Sequence, residues 1–539
     1  YVITASFAEP SLSKKASTAL HEVHSLLNLI NSDHQIHEIL CSTEHPKNFS
    51  NLERSILKSI VKTMHSSNVS KENFLKISQL SADLRNLETQ YNINLLSNNS
   101  GNAHFVSQDL EQILATETDE TFREHIFKKL YSTRDKPSKL VLRILNNRQK
   151  LARLHGFDNF AEMIIVQNSI FNSVESAKRF LIGQLENSTE EVKNIFNELK
   201  FLKSKHSVNS ISENVHDYDL LFLTRILEND LPHQFNLDME SCFCCIKKLI
   251  FELFGLEIEQ CNKTISSFGK KIYKHNVYRN SVFLGSFFYV LSSEYSTVTP
   301  NCHFTIQNGI IGEDGKFVQH PLILIFVPIN DDKKIARSEF QCLLHETGHA
   351  VHNILSSQQF QHLSGIRNSL DFVEIPAEFL EETPNHCTHF SAFDSLISER
   401  KISVPGPQEA KVKSINYYMS TLKALIDLQI HQDHFASTKE LLEVSKELSK
   451  VHSFIEEDKD VSFITKSPHF ITYPSQYFAY PVANLISKDI ISNFLSEKNN
   501  KSEMKEKLKN LFRAGTDIEP MLSLNNYFGF NYLKIKLFL

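Results

Sequence analysis

The segment FQCLLHETGHAVHNIL, residues 340–355, decides how this chain is read. Its apolar positions Leu343, Leu344, Val351, Ile354 and Leu355 recur at three- and four-residue spacing, which predicts a helix. On that helix His345 and His349 stand at i and i+4, one turn apart on one face. Two imidazoles so placed can both reach one Zn²⁺ at ~2.0–2.1 Å. Glu346 is one residue further on, rotated by ~100°, and so lies beside the metal and not on it. There it can take a proton from water and later pass it to a leaving amine. With 25 His and 63 acidic residues in 539, chance alone yields about 0.14 such triplets, so the surrounding sequence must strengthen the reading.

The first support lies downstream, in SLDFVEIPAEFLEE (369–382). Glu374, Glu378 and Glu381 fall on one helical face at i, i+4 and i+7. Three carboxylates on an otherwise apolar helix are costly unless solvated, paired or bound to metal. A His₂Glu set leaves a fourth position for water, as a catalytic zinc site requires. Spacing alone leaves both Glu374 and Glu378 open as the third ligand, the other being free to orient a histidine. Pro376 lacks an N–H, so this helix either starts near Asp371 or is distorted.

The second support lies upstream. From about 270 to 330 the chain carries short β-branched and aromatic runs (KIYKHNVY, VFLGSFFYVLSS, CHFTIQNGII, PLILIFVPI) separated by Asn, Gly, Asp and Pro. GIIGEDG (309–315) supplies turn residues between two of them. We expect a small sheet there, just before a helix that begins near Arg337. An exposed sheet edge is one way to hold an extended peptide.

Elsewhere the period is helical: 19–30, 52–65, 72–91, 121–132, 139–156, 176–206 and 217–229. Gly156, followed by Asp158 and Asn159, marks a helix end and loop. Only 14 glycines argue against a strand-rich barrel or sandwich, and 40 Phe against no Trp leave Phe to supply most of the aromatic core. Apolar residues at 41% and charged ones at 22% exclude a disordered chain. No run approaches the ~18 apolar residues of a membrane span. A net charge of −6 lends no support to nucleic-acid binding. Eight cysteines in this length read as thiols, and Cys242, Cys244 and Cys245 as helix positions in CFCCIKKLIFELFG. The pairs His386/His389, His431/His434 and His21/His24 read as solvated or structural histidines. The chain opens at Tyr1 without an initiator Met, as a trimmed chain would, and its first residues show no secretory signal.

HETGHAVH followed by DFVEIPAE resembles the thimet-oligopeptidase family of zinc metallopeptidases. The resemblance implies zinc on His345, His349 and Glu374, one ion per chain, with Glu346 as general base. Downstream, PHFITYPSQYFAYPVANLI (468–486) is similar to the family's substrate-binding segment. It implies catalytic roles for His469 and Tyr480, which would stabilise an oxyanion, and substrate contacts for Tyr473 and Tyr477. The tyrosines share a face if the segment is helical, although Pro474 and Pro481 limit its regularity.

The step from His469 to Tyr473, with HFTI (303–306), QHLSGIRNSLDFVE (361–374), ILNNRQKLARLHGF (144–157) and EPMLSL (519–524), resembles the branch that processes mitochondrial precursors. Departures are Thr347, where the family has a bulky apolar residue, and LSSEYSTVTPN (291–301) before HFTI. The implied fold is mainly α, two helical lobes around a deep channel, with a small β-sheet beside the metal-binding helix, as in zincins. The implied organisation is an N-terminal helical region, 1–135, and a catalytic region, 136–539. The implied function is a monomeric zinc endopeptidase of the mitochondrial matrix that takes peptide or unfolded precursor and removes an N-terminal octapeptide. The alternatives are a general oligopeptidase, cytosolic or organellar, and a peptide-binding homologue without turnover.

Overall fold

The computed structural model describes residues 71–97, 112–131, 137–229, 235–261, 265–267, 270–291, 302–327, 334–457, 469–496 and 500–514, with scattered positions outside these ranges. Among them the chain is mainly helical with one small mixed sheet. It divides into two compact units. Unit one contains Gln234–Val404 and Val482–Leu533, and unit two contains Asn68–His233 and Pro405–Pro481.

Unit two is helical. Helices α1 (Lys71–Ser97), α2 (Glu120–Tyr131), α3 (Pro137–Leu154), α5 (Val174–His206) and α6 (Leu220–Asn229) follow the predicted runs, whereas α4 (Phe160–Asn168) falls where no run was predicted. The run at 217–229 opens with a single 3₁₀ turn, Asp217–Asp219, before α6. The expected helices at 19–30 and 52–65 lie mostly outside the described residues, as do His21 and His24. Gly156 has φ +84°, and Asn159 caps α4 by accepting the Glu162 N–H, so the predicted break holds. The capping box of Ser173 and Ser176 starts α5, which buries an apolar stripe from Ala177 to Leu199.

Unit one begins with α7 (Met239–Phe254). Asp238 caps its start, and Gly255, at φ +65°, ends it. Cys242 and Cys245 are buried in its core face and Cys244 is exposed. No group able to hold a metal among the described residues includes a cysteine.

The sheet follows. Strands β1 (Glu257–Gln260), β2 (Ile265–Ser267), β3 (Lys270–Arg279), β4 (Val282–Leu291), β5 (Cys302–Gln307) and β8 (Leu322–Val327) form it, in the order β1-β3-β4-β8-β5 with β2 beside β3. All pairs are antiparallel except β4 with β8, where Ser286 to Leu291 face Leu322 to Val327 in parallel. The sheet therefore begins earlier than predicted, at Glu257. The GIIGEDG stretch does not simply turn: Ile310–Ile311 (β6) pair with Phe317–Gln319 (β7) in a separate ribbon, with Gly315 at φ +76°.

Helix α8 (Arg337–Leu355) starts at the predicted residue. Glu339 Oε2 accepts the Ala336 N–H at 2.7 Å and so caps the first turn. It packs on β4, β8 and the edge strand β5, where Asn353 Nδ2 donates to Thr305 Oγ1 at 2.7 Å. Helices α9 (Leu370–Glu382), α10 (Asp394–Ser398), α11 (Pro407–Gln432), α12 (Thr438–His452), α13 (His469–Thr472), α14 (Ala479–Leu495) and α15 (Lys501–Arg513) follow among the described residues. Helix α9 begins one residue before Asp371, near the expected start, and carries Pro376 inside it, past the first turn.

Candidate metal centre

Two helices of unit one build the site. Helices α8 and α9 approach so closely at Gly348 that a Cβ there would lie 2.7 Å from the Ala377 Cα and 3.0 Å from the Pro376 carbonyl oxygen. Only glycine permits this crossing, and the crossing carries Glu374 up to the histidine face. Ser487 Oγ on α14 donates to the Ile375 carbonyl at 2.9 Å and braces the same turn.

Glu374 Oε2 stands 3.3 Å from His345 Nε2 and 3.5 Å from His349 Nε2. The two imidazoles are 4.9 Å apart, centre to centre. Bonds of ~2.05 Å at tetrahedral angles separate neighbouring ligand atoms by about 3.3 Å. The two carboxylate-to-imidazole distances match that spacing, and one ligand atom from each of the three residues lies within 4.8 Å of the others. The donor set, two imidazoles and one carboxylate, suits zinc and leaves one corner open.

Glu381 Oε2 lies 2.8 Å from His345 Nδ1. A carboxylate accepts, so Nδ1 carries a proton toward Glu381, and Nε2 is the nitrogen that faces Glu374 and would ligate an ion. Burial alone lowers the proton affinity of His345, but Glu374 and Glu381 outweigh it and raise the imidazole well above its usual range. Burial raises Glu374, and the imidazoles of His349 and His345 overcome that and hold its carboxyl far below the usual range. Glu346 is 4% exposed, and burial pushes its pKa up against the opposing pull of His345 and His349. It follows His345 directly in the chain and stands outside the group of three that could hold a metal.

Glu378, the alternative ligand, accepts from Asn484 Nδ2 at 2.9 Å. Burial and the charge of Glu381 push its carboxyl up to about 8. It belongs with Glu381 to a second group around His345, so the structure separates the two carboxylates that spacing left open. Sequence reasoning missed Glu381 as the partner of His345; its i+7 step from Glu374 was the available signal. It also missed His303 of β5, a half-buried ring 5.7 Å from His349. Thr347 is fully buried, and its Oγ1 meets the Tyr289 hydroxyl at 2.6 Å while donating to the Leu343 carbonyl at 2.5 Å. The unusual threonine thus ties α8 to β4.

The other predicted residues lie in unit two. His469 is the hub of a ring cluster, with Tyr473 stacked at 4.9 Å, Tyr477 at 4.8 Å and Tyr480 at 5.4 Å. They do not share a helical face. Helix α13 ends at Thr472, Ser475 takes φ +57°, and α14 starts at Ala479. The turn, not a helix, gathers the rings. Tyr473 is 43% exposed, while burial pushes the Tyr477 hydroxyl up to about 12. Of the bland histidine pairs, His386 and His389 sit in a 3₁₀ stretch, and His431 is buried against Asp427.

The sequence profile of Peptidase family M3 matches residues 113–529, well over half of the chain. The chain belongs to peptidase family M3. Among its curated M3 relatives, mitochondrial intermediate peptidase of Mus musculus is 22% identical over 446 residues, covering 77% of this chain and 60% of that protein. The protein of the same name from Homo sapiens is 22% identical over 444 residues, with coverages of 77% and 60%. The M3 chain described here thus spans 60% of the length of these relatives. Among solved structures, PZ peptidase A with inhibitor 2 superposes with a TM-score of 0.63 at 13% identity, covering 98% of this chain and 85% of that one. An M32 carboxypeptidase from Deinococcus radiodurans R1 gives 0.55 at 10%, covering 99% and 92%. At these identities the likeness is one of fold.

Proposed function

We propose that this chain is a zinc-dependent endopeptidase that cleaves short or unfolded peptides. The observation that carries the reading is the convergence of His345 Nε2, His349 Nε2 and Glu374 Oε2 at 3.3 and 3.5 Å. In this reading those three residues hold the ion, and the catalytic region is 136–539, with a helical region, 1–135, before it. The chemistry a bound divalent ion supplies is Lewis acidity, which draws the pKa of water toward ~7 and polarises the scissile carbonyl. Glu346 removes the water proton and returns it to the leaving nitrogen. Its buried, upshifted carboxyl is suited to holding a proton between the two steps. His469 and Tyr480 donate to the oxyanion, and Tyr473 and Tyr477 contact the peptide. That assignment is supported by the match of residues 468–486 to the family's segment and by the gathering of the four rings.

The finer reading is removal of an N-terminal octapeptide from imported precursors in the mitochondrial matrix. The name of the relatives and the motifs at 303–306 and 361–374 support it. A general oligopeptidase with the same site is the second reading, and the altered stretch at 291–301 speaks for a third, a peptide-binding homologue without turnover. Sequencing the products from a panel of precursor peptides separates the first two: release of an octapeptide supports the first, and scattered internal cuts support the second. The central test is Glu346→Gln. It should keep one zinc per chain and lose about 10²–10⁴-fold in turnover. Activity near that of the unmodified chain rejects the role of Glu346.

A further inference from the structure

Unit two buries a polar relay behind the His469–Tyr480 segment. Arg148 on α3 is 2% exposed, and its guanidinium spends its donors on backbone: Nη1 to the Phe470 carbonyl at 3.2 Å and Nη2 to the Ile471 carbonyl at 2.6 Å. Nη2 also pairs with Glu88 of α1 at 2.7 Å, and Nη1 meets His431 Nε2 at 3.0 Å. A guanidinium only donates, so His431 Nε2 accepts and Nδ1 carries the ring proton. Nδ1 lies 3.0 Å from Asp427 Oδ1 and 2.9 Å from the Asp427 carbonyl. The Asp427 carboxylate, itself fully buried, takes the Ser475 N–H on Oδ1 and the Tyr477 N–H on Oδ2, each at 3.1 Å.

The relay therefore grips the segment at two places. One is the pair of carbonyls just after His469. The other is the turn between Tyr473 and Tyr477, where Ser475 holds a left-handed φ of +57°. A non-glycine residue there persists only when its surroundings over-determine it, and Asp427 supplies that constraint. Buried charges are poor sources of net stability, because desolvation offsets their attraction. Their use against a short turn speaks for geometry and not for stability.

We propose that Arg148, His431 and Asp427 are positioning residues for turnover, acting through the His469–Tyr480 segment whose backbone they fix. This deepens the peptidase reading and rests on it. The test uses the full chain, a quenched peptide substrate and metal analysis. Asp427→Asn offers one acceptor oxygen where two N–H groups need one each, so kcat/KM should fall by about 10- to 100-fold. Bound metal should be unchanged, since the triad lies in unit one. His431→Gln can accept from Arg148 and donate to Asp427 at once, and should retain most activity, whereas His431→Leu should match Asp427→Asn. The double variant Asp427→Asn/His469→Ala should be no slower than His469→Ala alone, because both changes act through one group. A merely structural role predicts additive losses that track melting temperature. Additive losses, an unaffected Asp427→Asn, or a His431→Gln as damaged as His431→Leu would each overturn the proposal. If Asp427→Asn does not fold, the two His431 variants decide alone. An unmodified chain with no chelator-sensitive turnover refutes the peptidase reading itself, and the positioning role falls with it.

Discussion

Glu381 and Gly348 carry as much of the metal centre as the ligands they serve. The 2.8 Å contact from Glu381 to His345 Nδ1 selects the tautomer that can ligate. Glu381→Gln still fits the space, but its amide can present a donor where an acceptor is needed. We expect zinc affinity to fall about 10- to 100-fold, measured by competition with a chromogenic chelator. Gly348→Ala meets backbone, not a side-chain tip that could rotate away. Helices α8 and α9 must part, so the variant should lose about 1–3 kcal/mol in denaturant unfolding and bind zinc more weakly. At this scale legibility followed distance along the chain. His345, Glu346 and His349 were readable because one helical turn fixes their relation. Glu374 needed the family motif to separate it from Glu378. The Tyr289–Thr347 contact, joining residues 58 apart, was invisible in either segment alone.

At the scale of elements, long periodic helices such as α5 and α8 were legible and short pieces were not. Strands β1 and β2, of four and three residues, read as EIEQ and ISS, too short and too polar to declare themselves. In the tyrosine segment the irregularity that Pro474 announced takes the form of a turn with a left-handed Ser475, which helical spacing cannot describe. Helices α2 and α5 meet through a cluster no pattern announces. Lys203 Nζ binds Glu120 Oε1 at 2.8 Å and Asp219 Oδ2 at 2.7 Å, and Arg123 Nη2 binds Asp219 Oδ1 at 2.6 Å, all buried. Lys203→Met takes the cation from the buried Glu120, which keeps only its hydrogen bonds from Ser210, Ile211 and Tyr218, and leaves Asp219 with one cation. Chemical denaturation should show a loss of about 3–5 kcal/mol, far more than for removing the exposed pair Lys439–Glu443.

Over the whole molecule, the chain builds one unit, passes to the other and returns, so neither unit is a continuous stretch of sequence. Local patterns carry no record of that order, and only the mainly helical class with an inserted sheet was readable from them. The pH response of stability belongs to this scale as well. In unit one, His275 is buried among Phe243, Phe287 and Tyr289, and burial pushes its imidazole down to about 4. His352, whose Nε2 donates to the Ala514 carbonyl at 3.1 Å, is lowered by burial to about 4 as well. Unfolded, both titrate near ~6.5. Above that value neither state binds the extra proton, and their contribution is level. Between about 6.5 and 4 the unfolded chain takes up protons that the folded chain refuses, so stability falls with pH by up to about 3 kcal/mol per histidine. Below about 4 both states are protonated and the loss stops growing. His275→Phe extends the existing ring stack and removes one titrating group. Melting curves recorded across that interval should be flatter for this variant than for the unmodified chain, by the equivalent of one proton. An identical slope in both would mean that His275 is protonated inside the fold as readily as in the unfolded chain, contrary to its apolar surroundings.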